Sequence, residues 1–404
     1  MADKGKRSSE QAEKRDRKPL CTYGKKCYRK NPRHLKEFSH PWNDASEGVE
    51  SPAKRRRKES VSPEKTDQNT TAAGSPDDSE KESQVQLEFE CPGDVKEFIK
   101  EKFLMEMPDD FYEFWEFCKT LNPECPSDAL VECLGLQLVG PYDVLAGQCV
   151  KVNSSGAPPC YLRHWRYFYD PPEFLTVIKG DDTLQFHIGY YRDDPKELPC
   201  FVATNAAAEN GIIKPMGENV FACVKLLIDE KIKKDKSSKA KLTDLQSKLI
   251  SWSEKKSYSL EAQTKAMKAR AKKVVCKTFH GAGIVVPVDA NEVGYREMPE
   301  SPADLKKMFK KIENSKTEEE RNVNIDPLQE LITLVQFAND ECDYGEGLEL
   351  GLDLFTYGGG DTFKGFILAL LPMAYQFLQR PEFAQIIQAH LEDRKHSAKL
   401  SQMQ

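Results

Sequence analysis

Carboxylates crowd the stretch "FANDECDYGEGLELG", residues 337–351, which contains Asp340, Glu341, Asp343, Glu346 and Glu349. So many carboxylates in a short stretch are typical of the surroundings of a general base, of a metal site, or of a well-solvated loop. A calcium loop needs D-x-[DN]-x-[DN]-G with a glutamate at its twelfth position, and "DECDYGEG" breaks that spacing. On these residues alone, a solvated loop is favoured over a catalytic base at Glu341.

A second group of reactive side chains lies near the N-terminus, in "CTYGKKCYRKNPRHLKEFSHP". Cys21, Cys27, His34 and His40 follow the spacing C-x5-C-x6-H-x5-H. Two thiolates and two imidazoles make a complete tetrahedral set for structural Zn²⁺. A segment of this size cannot fold around an apolar core, so the metal would have to hold it together. The sequence therefore predicts a small C2H2 zinc module.

The spacing of this module excludes an ordinary DNA-reading finger. Only six residues separate Cys27 from His34, whereas the usual finger has about 12 there and uses them for its recognition helix. Tyr23, Tyr28 and Arg29 would remain available, and aromatic rings stack on bases while guanidinium groups bind phosphates. This points to a flexible polymer with adenine and phosphate groups. The alternative is that both tyrosines only pack around the metal.

Composition and charge narrow the class of protein. The 404 residues carry a net charge of −6, but residues 1–60 carry +9 and residues 61–404 carry −15. A basic segment on an acidic body is typical of a protein that seeks polyanions. Ten of the 12 cysteines, Cys91 through Cys342, are scattered singly, and the N-terminus has no apolar leader. We expect reduced thiols, a cytosolic or nuclear protein, and no membrane partner.

Changes in composition along the chain predict its domains. The predicted order is a disordered basic tail (1–18), the zinc module (19–44), a disordered linker (45–86), a globular body (87–395) with a possible subdivision near 225–275, and a short tail (396–404). The run "KRRRK" at 54–58 in the linker favours a nuclear import signal over a merely solvated charge run.

Within the body, strand patterns precede helical ones. "LGLQLVG", "FLTVIKG", "TLQFHIGYYRD" and "CFVATN" read as short strands, and "VVCKTFHGAGIVVPVD" is also strand-like. "PDDFYEFWEFCKTLNP" predicts an earlier helix, and helices dominate from residue 304 to the end. We therefore expect an α+β fold, with strands and helices mixed in the N-terminal half and a mainly helical C-terminal half.

The zinc module resembles a known domain. The run "CTYGKKCYRKNPRHLKEFSHP" is similar over its whole length to the PAR-binding zinc finger, a module that binds poly(ADP-ribose). The resemblance implies that Tyr23, Tyr28 and Arg29 contact ADP-ribose units.

The body resembles the histone PARylation factors, accessory subunits of DNA-damage-activated poly(ADP-ribose) polymerases. "LGLQLVGPYDVLAG", "HWRYFYDPPEF", "TFHGAGIVVPVD", "VGYREMPE" and "VQFANDECDYGEGLELGLDLF" carry the resemblance, which covers about residues 88–395. It implies a protein that is no enzyme on its own but docks on the polymerase catalytic domain through Tyr295 and Arg296. It also implies that Glu341, with Asp340 beside it, completes a shared active site. The N-terminal zinc module departs from the familiar family pattern.

The resemblance implies transfer of ADP-ribose to histone serine, with NAD used only by the partner polymerase. A serine hydroxyl gains from a positioned base, whereas an acidic acceptor is already ionised. The implied partners are the polymerase, histones and poly(ADP-ribose), in the nucleus at damaged chromatin, with DNA contact indirect or weak.

Three alternatives stay open. The chain could be a non-catalytic poly(ADP-ribose) reader that recruits the polymerase. It could be a stand-alone hydrolase, with Cys342 as nucleophile and His280 as base. Arg296 could only close a local ion pair with Glu292 or Glu297.

Overall fold

The computed structural model of the protein describes residues 93–152, 157–234 and 239–403, together with Ser39. The predicted zinc ligands Cys21, Cys27, His34 and His40, the predicted ADP-ribose contacts Tyr23, Tyr28 and Arg29, and the linker at 45–86 lie outside the described residues. The fold described here is therefore that of the body. It combines one antiparallel sheet with many helices, which confirms the predicted α+β class.

Three helices precede the sheet, and a fourth lies between its first and second strands. They are α1 (Val95–Phe103), α2 (Asp109–Leu121), α3 (Val131–Leu134) and α4 (Pro141–Leu145), with a 3-10 turn at Pro126–Asp128 before α3. The Asp94 side chain caps α1 by accepting hydrogen bonds from the first free backbone N–H groups. Aromatic residues every three to four positions make α2 amphipathic, and Phe111, Phe114 and Phe117 are fully buried in the main core.

The five strands form an antiparallel meander in which neighbours in sequence are neighbours in the sheet. They are β1 (Gln137–Leu138), β2 (Phe174–Lys179), β3 (Phe186–Tyr191), β4 (Phe201–Ala206) and β5 (Lys214–Gly217). Consecutive side chains of a strand point to opposite faces, so Tyr190 joins the main core while Tyr191 joins a smaller cluster on the other face. Both faces of the sheet are therefore covered.

One buried carboxyl group fastens the sheet to the helices beside it. Asp110 of α2 accepts hydrogen bonds from the Tyr190 hydroxyl at 2.7 Å and from the Val220 amide at 2.8 Å. Burial raises the pKa of Asp110 to about 6, because removing the charge from water disfavours the ionised form. The same residue thus links α2, β3 and the start of the next helix.

The rest of the described chain is helical. After the sheet come α5 (Val220–Lys234), α6 (Lys239–Lys256), α7 (Lys265–Ala271), α8 (Pro302–Glu313), α9 (Glu318–Asp340), α10 (Tyr344–Tyr357), α11 (Lys364–Phe377) and α12 (Pro381–Glu392). Helix α10 is the central one, since every residue from Gly345 to Thr356 is buried, and it packs between α9 and α11. None of the helices in the described ranges combines the length and the apolarity needed to cross a bilayer.

The structure differs from the sequence-based prediction at two strands, one predicted but not formed and one formed but not predicted. The strand-like run 274–289 forms only a single bridge, between Cys276 and Ile284. Gly281 and Gly283 adopt positive φ angles of 78° and 73°, which turn the chain back on itself instead of extending it. Strand β5 was not predicted, because four residues containing a proline carry too weak a pattern.

Two buried histidines are held in place by carboxylates. The ring of His187 stacks on Tyr167 with centroids 3.9 Å apart, and its Nε2 lies 2.8 Å from Asp170 Oδ1. His164 Nε2 lies 2.8 Å from Asp143 Oδ2, and both histidine side chains are fully buried. None of the nine cysteines of the described ranges is part of a disulfide.

Candidate functional site

The carboxylate-rich stretch contains a bend of only three residues. Helix α9 ends at Asp340, Glu341 and Cys342 follow, and α10 begins at Tyr344. Cys342 has a φ of 69°, a left-handed conformation that reverses the chain between the two helices. The Glu341 side chain is 61% exposed. A carboxylate at the end of a helix and open to solvent can reach a group on another protein.

The loop that carries Tyr295 and Arg296 is fastened to this bend. Asp343 Oδ1 accepts a hydrogen bond from the Gly294 amide at 2.9 Å, and the Gly345 amide donates to the Gly294 carbonyl at 2.9 Å. These bonds join segments about 50 residues apart in the chain. The structure therefore brings together residues that the sequence singled out separately.

Arg296 is ion-paired with the predicted base itself. Its Nη2 contacts Glu341 Oε2 directly and also lies 2.9 Å from Asp343 Oδ2. The hydrogen bond with Glu341 raises the pKa of Arg296 further above its ordinary value. Within the described chain, Arg296 pairs with these two carboxylates and not with Glu292 or Glu297. An exposed pair of this kind contributes little to stability, so the arginine can exchange partners easily.

Tyr295 faces the other way, into a groove with a volume of 620 Å³. Its hydroxyl donates a hydrogen bond to Glu349 Oε2 at 2.9 Å, and burial raises the pKa of this phenol. Segments 275–279 and 297–302 line the groove, together with Tyr295 and with Glu349 and Asp353 of α10. Half-buried and hydrogen-bonded, Tyr295 is held in one orientation beside Arg296.

The sequence did not assign roles to the acids of α10. Glu346, Glu349 and Asp353 follow each other at helical spacing on α10, and all three are buried. The sequence had instead favoured a solvated loop for Glu346 and Glu349. Burial raises the pKa of Glu346 and of Asp353 to about 7 in each case. Their spacing of i, i+3, i+7 was the signal that could have placed them on one helix face. Asp343, which joins the two segments, had no role assigned either.

Replacing Glu346 by glutamine is expected to raise the free energy of unfolding by about 1–3 kcal/mol at pH 8 and to leave it nearly unchanged at pH 4. Glu346 Oε2 is buried and has no hydrogen-bond partner among the described residues, and burial raises the pKa of this carboxyl from an ordinary 4.5 to about 7 in the folded protein. The folded state therefore holds an extra proton between these values, and the wild type loses stability as pH rises through about 7. Urea titrations at several pH values measure this; a difference that does not change with pH would contradict it.

Gly294 is expected to be the glycine of this site that tolerates substitution least. Its φ is 134°, and a Cβ atom there would clash with the Pro287 carbonyl oxygen. Gly294→Ala should cost about 2–4 kcal/mol, since strain at a positive φ adds to the clash. The matched control is Gly281→Ala, where φ is 78° but no atom of the described residues lies within 4 Å of the added Cβ. Equal denaturation midpoints for both variants would show that the contact between the added Cβ and the Pro287 carbonyl oxygen does not lower stability.

The hydrolase alternative gains no support from the geometry. His280 is fully buried, and burial lowers the pKa of its imidazole to about 3. Cys342 is exposed, and its sulfur accepts a hydrogen bond from the Tyr344 hydroxyl at 3.3 Å. A buried histidine that resists protonation does not suit a general base for an exposed thiol. Within the described residues, no three histidine, cysteine, aspartate or glutamate side chains form a metal-binding group.

Comparison with known proteins agrees with the resemblances in the sequence. Residues 94–394 match the family model described as Histone PARylation factor 1, and residues 18–43 match that of the PBZ domain. The second match contains all four predicted zinc ligands, and the PBZ domain is a zinc-finger type of module. The donor set of two thiols and two imidazoles fits zinc.

Curated relatives cover most of this body at high identity. Histone PARylation factor 1 of Mus musculus is 50% identical over 309 residues, which is 76% of this chain and 89% of the relative. The Bos taurus protein of the same name gives the same values, and the Danio rerio protein is 52% identical over 303 residues, 74% of this chain and 86% of the relative. Since both the family model and these relatives cover about three quarters of it, the chain belongs to the Histone PARylation factor 1 family, with a PBZ domain in front of the family region.

Proposed function

We propose that this chain is an accessory factor that directs a poly(ADP-ribose) polymerase to serine acceptors on histones. The observation that carries the proposal is Glu341, an exposed carboxylate at a helix end, held beside Arg296 in a member of this family. In the proposed reaction Glu341 removes the proton from the serine hydroxyl. The serine oxygen then bonds to the ribose carbon of NAD held by the polymerase, and nicotinamide leaves.

A borrowed base changes the acceptor without changing the NAD chemistry. A neutral hydroxyl needs deprotonation in the transition state, and a positioned base contributes typically about 10²–10⁴-fold. Aspartate and glutamate acceptors are ionised already and gain nothing from it. The chain is therefore not an enzyme on its own, because the NAD site belongs to the polymerase. Asp340, next to Glu341 and also exposed, adds negative charge where the serine proton is taken up.

The ion pair of Arg296 suggests how docking and catalysis are linked. In the free protein Arg296 is paired with Glu341 and Asp343. We propose that on docking Arg296 turns to an anionic group of the polymerase and frees Glu341 for the serine. Tyr295 would contact the polymerase from the rim of the groove, because tyrosine and arginine are enriched at interface hot spots.

Histones are the proposed acceptors, and the charge of the groove suits them. Glu297, Glu300, Glu349 and Asp353 line it beside Tyr295, and histone tails are rich in lysine and arginine. The proposed location is the nucleus, at damaged chromatin, with the run 54–58 as import signal.

The PBZ domain would let the chain bind poly(ADP-ribose), the product of the polymerase. We propose that Zn²⁺ bound by Cys21, Cys27, His34 and His40 holds this module together, and that Tyr23, Tyr28 and Arg29 bind poly(ADP-ribose). The linker at 45–86 would then keep the body at a high local concentration near chains that have already formed. The second candidate function, a non-catalytic reader that recruits the polymerase, rests on this domain alone.

Acceptor mapping tests the proposal. A DNA-activated poly(ADP-ribose) polymerase, NAD and a histone peptide that contains both serine and glutamate are incubated with and without the chain. We expect modification on serine only when the chain is present. The reader function predicts more modification in total with unchanged acceptors, and the hydrolase function predicts turnover without polymerase.

A further inference from the structure

The charge of the protein body is divided between two regions. Residues 225–234 and 239–273, named here the basic arm, contain 14 lysines and arginines against five acids, a net charge of +9. The other residues of the body, within 87–395, carry −21. The basic arm comprises most of α5, all of α6 and α7, and the residues that join α6 to α7, and the structure describes all of it.

Many lysines of the basic arm are free to bind a ligand. Lys255, Lys265, Lys268, Lys272 and Lys273 are all exposed, and none of them forms an ion pair with another residue in the described ranges. By contrast, Lys241 and Lys256 reach across to Glu132 and Glu113 and attach α6 to the rest of the body. The arm is thus fastened by some of its lysines and leaves the others in solvent.

Helix α7 and the residue that caps its C-terminus present three of these lysines in a row. Lys265, Lys268 and Lys272 are spaced i, i+3, i+7 and so share one face, which extends for about 10 Å along the helix axis. The opposite side is anchored, because Met267 is buried and Arg270 forms two hydrogen bonds to Asp193, at 2.7 and 2.8 Å. The positive row is therefore held on a rigid support, and it is as long as about three base-pair steps along the axis of duplex DNA.

The basic arm lacks the aromatic surface that binds single strands. Its two large aromatic residues are occupied inside the protein, since Trp252 packs against Phe117 at 5.7 Å and Tyr258 stacks on Phe221 at 5.2 Å. No large apolar side chain of the described part of the arm is among the exposed ones. Binding of flexible single-stranded polymers relies on base stacking as well as charge. Positive charge on rigid helices without stacking groups fits a rigid, regularly spaced row of phosphates.

We propose that the basic arm binds the phosphate backbone of duplex DNA without sequence preference, and that this contact is separate from the PBZ domain. It replaces the sequence-based expectation of indirect or weak DNA contact with a direct one. The acidic remainder of the body is repelled by the same phosphates, so the contact also orients the protein. Such binding releases counterions and weakens steeply as salt rises.

The test uses the full-length, zinc-loaded chain and a fluorescein-labelled duplex of random sequence, with anisotropy measured between about 50 and 200 mM salt. The variant carries Lys265→Glu, Lys268→Glu and Lys272→Glu. The matched control carries Lys310→Glu, Lys311→Glu and Lys316→Glu, which change the net charge equally at exposed sites of α8 and the residues after it. A third protein with Lys→Gln at the three arm positions removes charge without reversing it.

We expect the arm variant to lose at least about tenfold in affinity at low salt, and its salt slope to fall by about 3, since each lost phosphate contact lowers the slope by about 0.9. The salt slope of the glutamine variant should fall by the same amount, and that of the control variant should equal the wild-type slope. Equal losses of affinity in the arm and control variants would show that only net charge matters and would overturn the proposal. An arm variant that binds duplex DNA as tightly as the wild type would overturn it as well. Labelled poly(ADP-ribose) is tested in parallel. A loss there as large as that for duplex DNA would also overturn the assignment to duplex.

Discussion

Replacing Glu341 by glutamine is expected to remove serine modification almost completely while leaving the protein folded and able to bind the polymerase. Glutamine keeps the shape and one hydrogen-bonding oxygen but cannot take up the serine proton. The loss should reach about 10²–10⁴-fold, the range in which a positioned general base contributes. Stability should change little, because Glu341 is exposed and its ion pair with Arg296 lies at the surface. The measurement is mass-spectrometric mapping of acceptors on a histone peptide, with polymerase binding measured separately.

The control for this variant is Glu330→Gln, an exposed glutamate on the same helix α9 and remote from its C-terminal end. It removes the same charge and should leave serine modification at the wild-type rate. Asp340→Asn should have a smaller effect than Glu341→Gln, because Asp340 is not the group that accepts the proton. Serine modification by Glu341→Gln at the wild-type rate would reject the proposed base and leave recruitment as the function of the body.

Replacing Cys27 by alanine is expected to abolish poly(ADP-ribose) binding by the full-length chain. Three ligands cannot hold a structural zinc as four do, and zinc binding in such modules is also their folding energy, about 10–16 kcal/mol at pH 7. The module should therefore lose its metal and its fold together, and with them the surface of Tyr23, Tyr28 and Arg29. Zinc content by atomic absorption and binding of labelled poly(ADP-ribose) measure both effects.

A matched cysteine control is Cys125→Ala, which removes an exposed free thiol of the body. Its zinc content and poly(ADP-ribose) affinity should equal those of the wild type. In dilute solution with a peptide acceptor, Cys27→Ala should still support serine modification, because the body would act without the module. If poly(ADP-ribose) binding survived in Cys27→Ala or in the presence of a strong chelator, another part of the chain would bind the polymer.

These two predictions separate the two proposed parts of the chain. Glu341→Gln removes the proton acceptor and leaves the PBZ domain intact. Cys27→Ala removes the PBZ domain and leaves the proton acceptor intact. On damaged chromatin both should lower histone serine modification, since a flexible linker raises the local concentration of the body only while the module is bound. In the peptide assay only Glu341→Gln should do so.

The zinc module shows what local sequence can predict. Four potential ligands at fixed spacing predict a tetrahedral zinc site without reference to the rest of the chain. The same holds for the α+β class, because alternating and helical hydrophobic patterns are properties of short segments. Helix α2 was predicted from its own residues and found at Asp109–Leu121. The run 274–289 was misjudged because β-branched residues favour strands, whereas glycines with positive φ turned this segment into a loop.

The candidate site could not be predicted from short segments of sequence. Sequence alone left Glu341 as a loop acid, and the family resemblance rather than its spacing suggested a base there. The sequence by itself predicted the four zinc ligands, and it determined the α+β class of the body and the charge of its regions. Only the tertiary structure decided that Arg296 is paired with Glu341, that Asp343 joins their two segments, and that Glu346 lies buried on α10. The physical reason is that hydrogen bonds and burial between distant segments depend on how helices and loops pack, and no short stretch of chain encodes that.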